Sequence, residues 1–235
     1  MTGSTQQPRS ERPVGEPVDT TPAQHPGPVT LTGRFGRIEK LAPTHAASLW
    51  DAVKGRDTIW TYMGYGPFDG ADAFVAWVAE RAKLTDPFSY AVVTPDGNAV
   101  GIATLMEIRT APRVIEVGHI VYGEPLQRTP LATEATYLLA RYAFETLGYR
   151  RYEWKCDSLN APSRRAALRY GFTFEGIFRQ HMIIKGRNRD TAWFSMLDGE
   201  WPARKRNFER WLAPDNFDSD NRQKASLSAM SGAAA

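Results

Sequence analysis

The 235-residue chain has one cysteine, four histidines and no long apolar run. A single thiol excludes an intrachain disulfide and any cysteine-based metal cluster. Cys156 stands in "RYEWKCD", alternating onto the face shared by Tyr152 and Trp154, the pattern of a buried structural thiol rather than a nucleophile. His25, His45, His119 and His181 show no metal-ligand spacing, so no metal site is expected. No window reaches the ~18 consecutive apolar residues of a membrane span, and the N-terminus lacks the apolar core of a signal peptide. The expectation is a cytoplasmic protein without a membrane partner. Excess charge of one sign is scarce as well: a net charge of +3 and a pI near 9.0 describe a mildly basic chain. That balance suits a phosphate-bearing cofactor as well as nucleic acid.

Order-promoting residues thin out at both ends. Residues 1–28 carry Pro8, Pro13, Pro17, Pro22, Pro26 and Pro28 among polar residues, and residues 218–235 lack aromatics and periodicity. Such compositions bury too little apolar surface to offset the entropy of ordering, which predicts disordered tails flanking one globular domain over 29–217. Within it, "RFGRIEKL" (34–41) reads as a first strand, and Pro43 opens a helix to about Val53. "ADAFVAWVAERAKL" (71–84) repeats apolar residues at helical spacing. "SYAVVT" and "AVGIATLMEI" around Pro95-Asp96-Gly97 form a hairpin, and "RVIEVGHIVYG" is a further strand. A helix from Thr129 to about Leu147, the strand "RYEWKCD", the helix "APSRRAALRYG", and a hairpin of "FTFEGIFRQHMIIKG" with "DTAWFSML" across "GRNRD" follow. Strands alternating with helices, with hairpins at both ends, imply an α/β architecture: a mixed sheet of six to seven strands covered by helices on both faces. A last helix is predicted over 202–212. Its Arg204, Lys205, Arg206 and Arg210 read either as a solvated basic face or as a contact for RNA or phosphate.

One junction carries chemistry. In "QRTPLATEA" (127–135), Thr129 is a natural N-cap, and Pro130 falls at the first helical position, where its fixed φ suits the turn. The amides of Leu131, Ala132 and Thr133 are then free, and with Arg128 they form an anion site at the positive end of the helix. An ordinary capped helix without a ligand is the competing reading.

The succession of strand, "QRTPLATEA" helix, strand, "NAPSRRAALRYGF" and "FEGIFR" strand resembles the GNAT superfamily of N-acetyltransferases over about residues 30–200. Within it, the chain is most similar to the branch of ribosomal-protein N-terminal acetyltransferases. The family's acyl-CoA loop has the form Q/R-x-x-G-x-G/A; Gln127 to Ala132 matches it except that Pro130 replaces the central glycine.

The resemblance implies a partly splayed sheet. The pantetheine arm of acetyl-CoA, or of another acyl-CoA, would lie against Ile120 and Val121. The pyrophosphate would rest on Gln127, Arg128, Thr129, Pro130, Leu131, Ala132 and Thr133. Asn160 would bond to the pantetheine or to the loop beside the thioester. The tyrosine many members place seven positions after that asparagine is here Ala167, so Ser163 becomes the substitute acid, with a structural serine as the alternative. Glu116 is the candidate base: strict alternation puts it with Gly118, Ile120 and Tyr122, on a face whose burial would raise its pKa. His119 falls on the opposite face if the strand is regular. The acceptor side is assigned to Trp60, Tyr62, Tyr65, Phe68, His119, Arg179 and His181. The aromatic segment "IWTYMGYGPF" either lines a pocket or packs as core beneath a loop. The acceptor is expected to be a small-molecule amine or a peptide N-terminus, and the protein a monomer or homodimer. The reading from a different class is a member without CoA activity that binds RNA through 204–210 and "KGRNRD".

Overall fold

The computed structural model describes residues 12–220 and 222–231. Eight strands form one sheet in the order β1-β2-β3-β4-β5-β6-β8-β7. They are β1 (Thr30–Thr32), β2 (Arg37–Lys40), β3 (Phe88–Val93), β4 (Ala99–Arg109), β5 (Val114–Tyr122), β6 (Arg151–Asp157), β7 (Thr173–Ile184) and β8 (Arg187–Leu197). Only β5 and β6 run parallel; every other pairing is antiparallel. Helices α1 (Ala46–Val53) and α2 (Ala71–Lys83) cover one face with the aromatic segment; α3 (Pro130–Arg141), α5 (Trp201–Leu212) and α6 (Leu227–Met230) pack on the other, with α4 (Ala161–Arg169) at its rim. No described helix is long and apolar enough to cross a membrane. The mixed sheet with helices on both faces is as expected, with one strand more than counted.

That extra strand is β1. The expected strand over 34–41 shortens to Arg37–Lys40 because residues 33–36 turn around a carboxylate. Glu134, buried on α3, accepts from the amides of Arg34 (2.6 Å) and Phe35 (2.8 Å), and a Cβ on Gly33 would fall 2.1 Å from its carboxyl carbon. Only glycine leaves room for that approach. The β7–β8 hairpin is also tighter than "GRNRD" suggests. Lys185 and Gly186, at φ 49° and 71°, make a two-residue turn whose hand matches the twist of the strands, so β8 starts at Arg187.

The tail boundaries need correction. The amide of Ala23 donates to Thr110 O at 3.0 Å, that of Gln24 to Leu147 O at 2.8 Å, and that of Gly27 to the Tyr142 hydroxyl at 3.1 Å. At the other end the Trp211 indole donates to Gln223 Oε1 at 2.7 Å, and Leu227 is fully buried. Single apolar anchors and backbone bonds to distant carbonyls have no period, so composition alone misses them. Residues 1–11 lie outside the described residues.

Two irregularities position the site. The β5–β6 register runs from Val114↔Arg151 to Val117↔Trp154 and stops, although the strands continue to Tyr122 and Asp157; the sheet is splayed there. Across β4, the partners jump from Thr104↔Gly118 to Ile102↔Val121, so β5 carries an extra residue. His119, at φ 46°, sits in that bulge.

Candidate active site

The splayed strand ends open onto the N-termini of α3 and α4, making a cleft of about 1330 Å³. Ile120, Tyr122 and Trp154 form its floor. Thr129 caps α3: its hydroxyl donates to Leu126 O (2.7 Å) and accepts from the Ala132 amide (3.3 Å). The expected triplet of free amides is thereby reduced, because the cap engages that of Ala132. Gln127 is anchored by a bond from its side-chain amide to Tyr122 O (2.8 Å). Arg128 occupies the left-handed region at φ 61°, a conformation that costs a non-glycine residue about 1–2 kcal/mol.

Gln127, Arg128, Thr129, Pro130, Ala132 and Thr133 line the cleft with Asn160 and Ser163. Two expected members do not. Leu131 turns inward against Gly36, and Val121 is buried in its pairing with Ile102.

Three further guanidinium groups border the cleft: Arg165, Arg169 and Arg222. Arg169 donates to the Thr133 hydroxyl at 2.9 Å, stacks 5.0 Å from the Trp211 ring, and is held below its ordinary pKa by burial. Among the described residues, no carboxylate lies within ion-pair distance of Arg128, Arg165 or Arg169. The cleft therefore fits a polyanion such as a diphosphate. Arg165 and Arg169 do not stand out in the sequence because "PSRRAALR" resembles a solvated helix face, and Arg222 lies in a segment whose composition predicts disorder. The available signal was the i, i+4 spacing of Arg165 and Arg169.

At the inner end, Asn160 caps α4, its side-chain oxygen accepting from the Ser163 amide at 3.1 Å. That leaves its amide N–H₂ for another acceptor. The Trp154 indole donates to Ser163 Oγ at 3.0 Å, which orients the hydroxyl and leaves its proton available. Tyr170 lines the same cleft while packing on Trp154, and Ala167 is buried. Cys156 is buried, and burial pushes its thiol pKa upward.

The bulge corrects the alternation assumed for Glu116. Ile120 and Tyr122 swing onto the cleft face, while Glu116 shares the opposite face with Lys155, which lies over the Trp193 ring. Lys155 Nζ stands 2.9 Å from Glu116 and 3.1 Å from Glu153. Burial pushes the Glu116 carboxyl up to about 7 despite the opposing ammonium.

His119 is half-buried, its Nδ1 3.1 Å from the Tyr65 hydroxyl. Burial, together with the charges of Arg81 and Arg189, lowers its pKa to about 4, so the imidazole is neutral at neutral pH.

The aromatic segment divides. Trp60 and Phe68 pack with Phe74 and Trp77, so these two are core and not pocket wall. Tyr62 donates to Leu159 O at 3.2 Å, beside Asn160, and Ile59 reaches the cleft. Lys185 of the β7–β8 turn donates to Trp60 O at 2.9 Å and closes the hairpin over this segment. His181 bonds Thr191 Oγ1 at 3.0 Å; with Arg179 and Asp190 it borders a shallow cavity separate from the cleft.

The basic face of α5 is partly committed. Lys205 pairs with Glu145 at 2.8 Å, and Arg204 lays its stem against Gly171.

Residues 37–173 match the family described as acetyltransferase (GNAT) domain. The fold superimposes on a GCN5-related N-acetyltransferase from Brucella melitensis with a TM-score of 0.88 and 45% identity, over 90% of this chain and 98% of that one. A structure from Chromobacterium violaceum, described as "probable acetyltransferases (GNAT family)", gives 0.73 and 41%, over 86% and 98%. The Bacillus subtilis protein named "Putative ribosomal N-acetyltransferase YdaF" is 30% identical over 47% of this chain, and the match spans 60% of its own length.

Proposed function

The chain belongs to the GNAT acetyltransferase family, and from that membership we propose that it moves an acetyl group from acetyl-CoA to a primary amine by direct attack. The observation that carries this reading is the parting of β5 from β6 beside a loop and helix whose guanidinium groups lack carboxylate partners. When bound, the coenzyme supplies a thioester carbonyl activated toward amines. The chain does the rest. Arg128, Arg165 and Arg169 hold phosphates, and the strand groups left free past Val117 lie along the pantetheine path. Glu116 takes a proton from the attacking amine, directly or through one water. Ser163, oriented by Trp154, donates its proton to the departing sulfur.

A small-molecule amine is the proposed acceptor. The support is the closure of its side by the bonds from Tyr62 to Leu159 and from Lys185 to Trp60. A peptide N-terminus is the second reading, favoured by the name of the Bacillus subtilis relative.

Acetyl-CoA at 100 times its Kd should stabilise the fold by about 2.7 kcal/mol through binding linkage. A flat melting temperature across a coenzyme titration would reject the reading. In the same titration Arg128→Ala is expected to weaken binding about tenfold, the worth of one charge-assisted hydrogen bond near 1.4 kcal/mol. An unchanged Kd would remove Arg128 from the phosphate site. RNA binding with a steep salt slope and no coenzyme effect would point to the binding module instead.

Ser163→Ala should slow single-turnover acetyl transfer while leaving coenzyme affinity intact, because the lost group acts on the leaving sulfur. Identical single-turnover traces would return this serine to helix packing.

A further inference from the structure

Across the sheet from the coenzyme cleft, next to His119, lies a buried cation that the proposed transfer does not use. Arg81, in the last turn of α2, is 8% exposed. Its guanidinium carbon stands 5.1 Å from the Tyr65 ring centroid and 5.5 Å from that of Trp77. The Tyr65 hydroxyl in turn meets His119 Nδ1 at 3.1 Å. The two aromatic rings stabilise the cation, and the Tyr65 hydroxyl is within its reach. Among the described residues, no carboxylate lies within ion-pair distance of Arg81.

A second guanidinium, Arg189 on β8, is half-buried, with its Nε 3.3 Å from Thr191 Oγ1. It too is without a carboxylate partner among the described residues. Elsewhere on this face the chain pairs its buried cation: Lys155 is placed between Glu116 and Glu153. A buried guanidinium left without a counter-ion is an unfavourable arrangement that a bound anion relieves. The guanidinium fork matches a carboxylate in two parallel hydrogen bonds.

We infer that the acceptor amine carries a carboxylate, and that Arg81 binds it beside Tyr65 and His119. The inference rests on the acetyltransferase reading and narrows its substrate class to amino-acid-like molecules. The arrangement also favours reactivity. A fixed positive charge opposes the ammonium form of an amine held near it, so a substrate anchored by its carboxylate presents its neutral nucleophile more readily. Tyr62, bonded to Leu159 next to Asn160, and Ile59, which reaches the cleft, join this side of the sheet to the thioester end.

The test is calorimetric titration of the full chain, with and without CoA, using short amino carboxylates, their carboxamides and aminoalkyl phosphates. At least tenfold tighter binding of the carboxylate than of its carboxamide is expected, with that ratio falling toward one in Arg81→Gln and CoA affinity unchanged. Equal affinities, a preference for the phosphates, or a ratio preserved in the variant would overturn the inference. Failure of CoA to bind would instead sink the acetyltransferase reading, and the titrations without CoA would still report on Arg81. A measurement on the unmodified protein guards against a misfolded variant. The His119 pKa, followed by NMR, should rise on adding the carboxylate and stay put with the carboxamide; an unmoved value with both would also overturn the assignment.

Discussion

Glu116→Gln is expected to lower turnover by about 10²–10⁴-fold, the usual worth of a positioned base, while acetyl-CoA affinity stays within about twofold. The side chain keeps its shape and loses only its capacity to accept a proton. Its pH dependence makes the expectation sharper. Burial lifts this carboxyl to about 7, and the catalytic form is the carboxylate, so wild-type kcat/KM should climb as pH rises through about 7. The glutamine variant should lack that limb. Folding stability moves in the opposite direction. A carboxyl whose folded pKa is raised contributes stability below its unfolded pKa of 4.5 and loses that contribution as pH rises to about 7. Denaturation of wild type and variant on either side of this window should show the wild-type slope and its absence in the variant. Near-normal turnover at neutral pH would reject Glu116 as the base and turn attention to His119.

At a pH high enough to keep Glu116 ionised, Lys155→Met should destabilise the fold by about 3–5 kcal/mol, the cost of leaving a buried charge without its partner. For a chain of this size that corresponds to a fall in Tm of roughly 6–20 °C. The reason lies in unequal compensation. Glu153 would keep Arg109 at 2.6 Å and Arg151 at 2.7 Å, whereas Lys155 is the only cation paired with Glu116 among the described residues. Glu116 would then stay protonated to higher pH, shifting the activity limb in the same direction. Because the fault is one uncompensated carboxylate, Lys155→Met combined with Glu116→Gln should recover much of the lost stability. A double variant no more stable than Lys155→Met alone would show that lost packing against Trp193 carries the effect instead.

Much of the frame was legible because it is written locally. Thr129-Pro130 announces a capped helix through the hydroxyl of one residue and the fixed φ of the next, and the hydroxyl forms the expected bond to Ala132. At Asn160 the structure adds a cap, its side chain accepting from the Ser163 amide, where the resemblance implied a bond to the pantetheine or the adjacent loop. Less legible were features that need two distant segments. The turn at Gly33 depends on a carboxylate on α3, and the part of the cleft wall built from Arg222, Gln223 and Ser228 comes from a segment whose composition suggested no order. Trp60 and Phe68 illustrate a third case: an aromatic cluster reads the same whether it lines a pocket or fills a core, and only the packing of α2 settles which side chains are covered.

By itself, the sequence determined most of the order of strands and helices, the capped helix start at Thr129-Pro130 and the burial of the one thiol, since each follows from residue type over a few neighbouring positions. The tertiary structure alone decided which faces those residues serve. One extra residue at His119 reverses the side-chain alternation of β5. It sends Ile120 and Tyr122 to the cleft and leaves Glu116 across the sheet. A period of two tolerates no insertion without such a reversal, and the insertion is defined only by the neighbouring strand it fails to match.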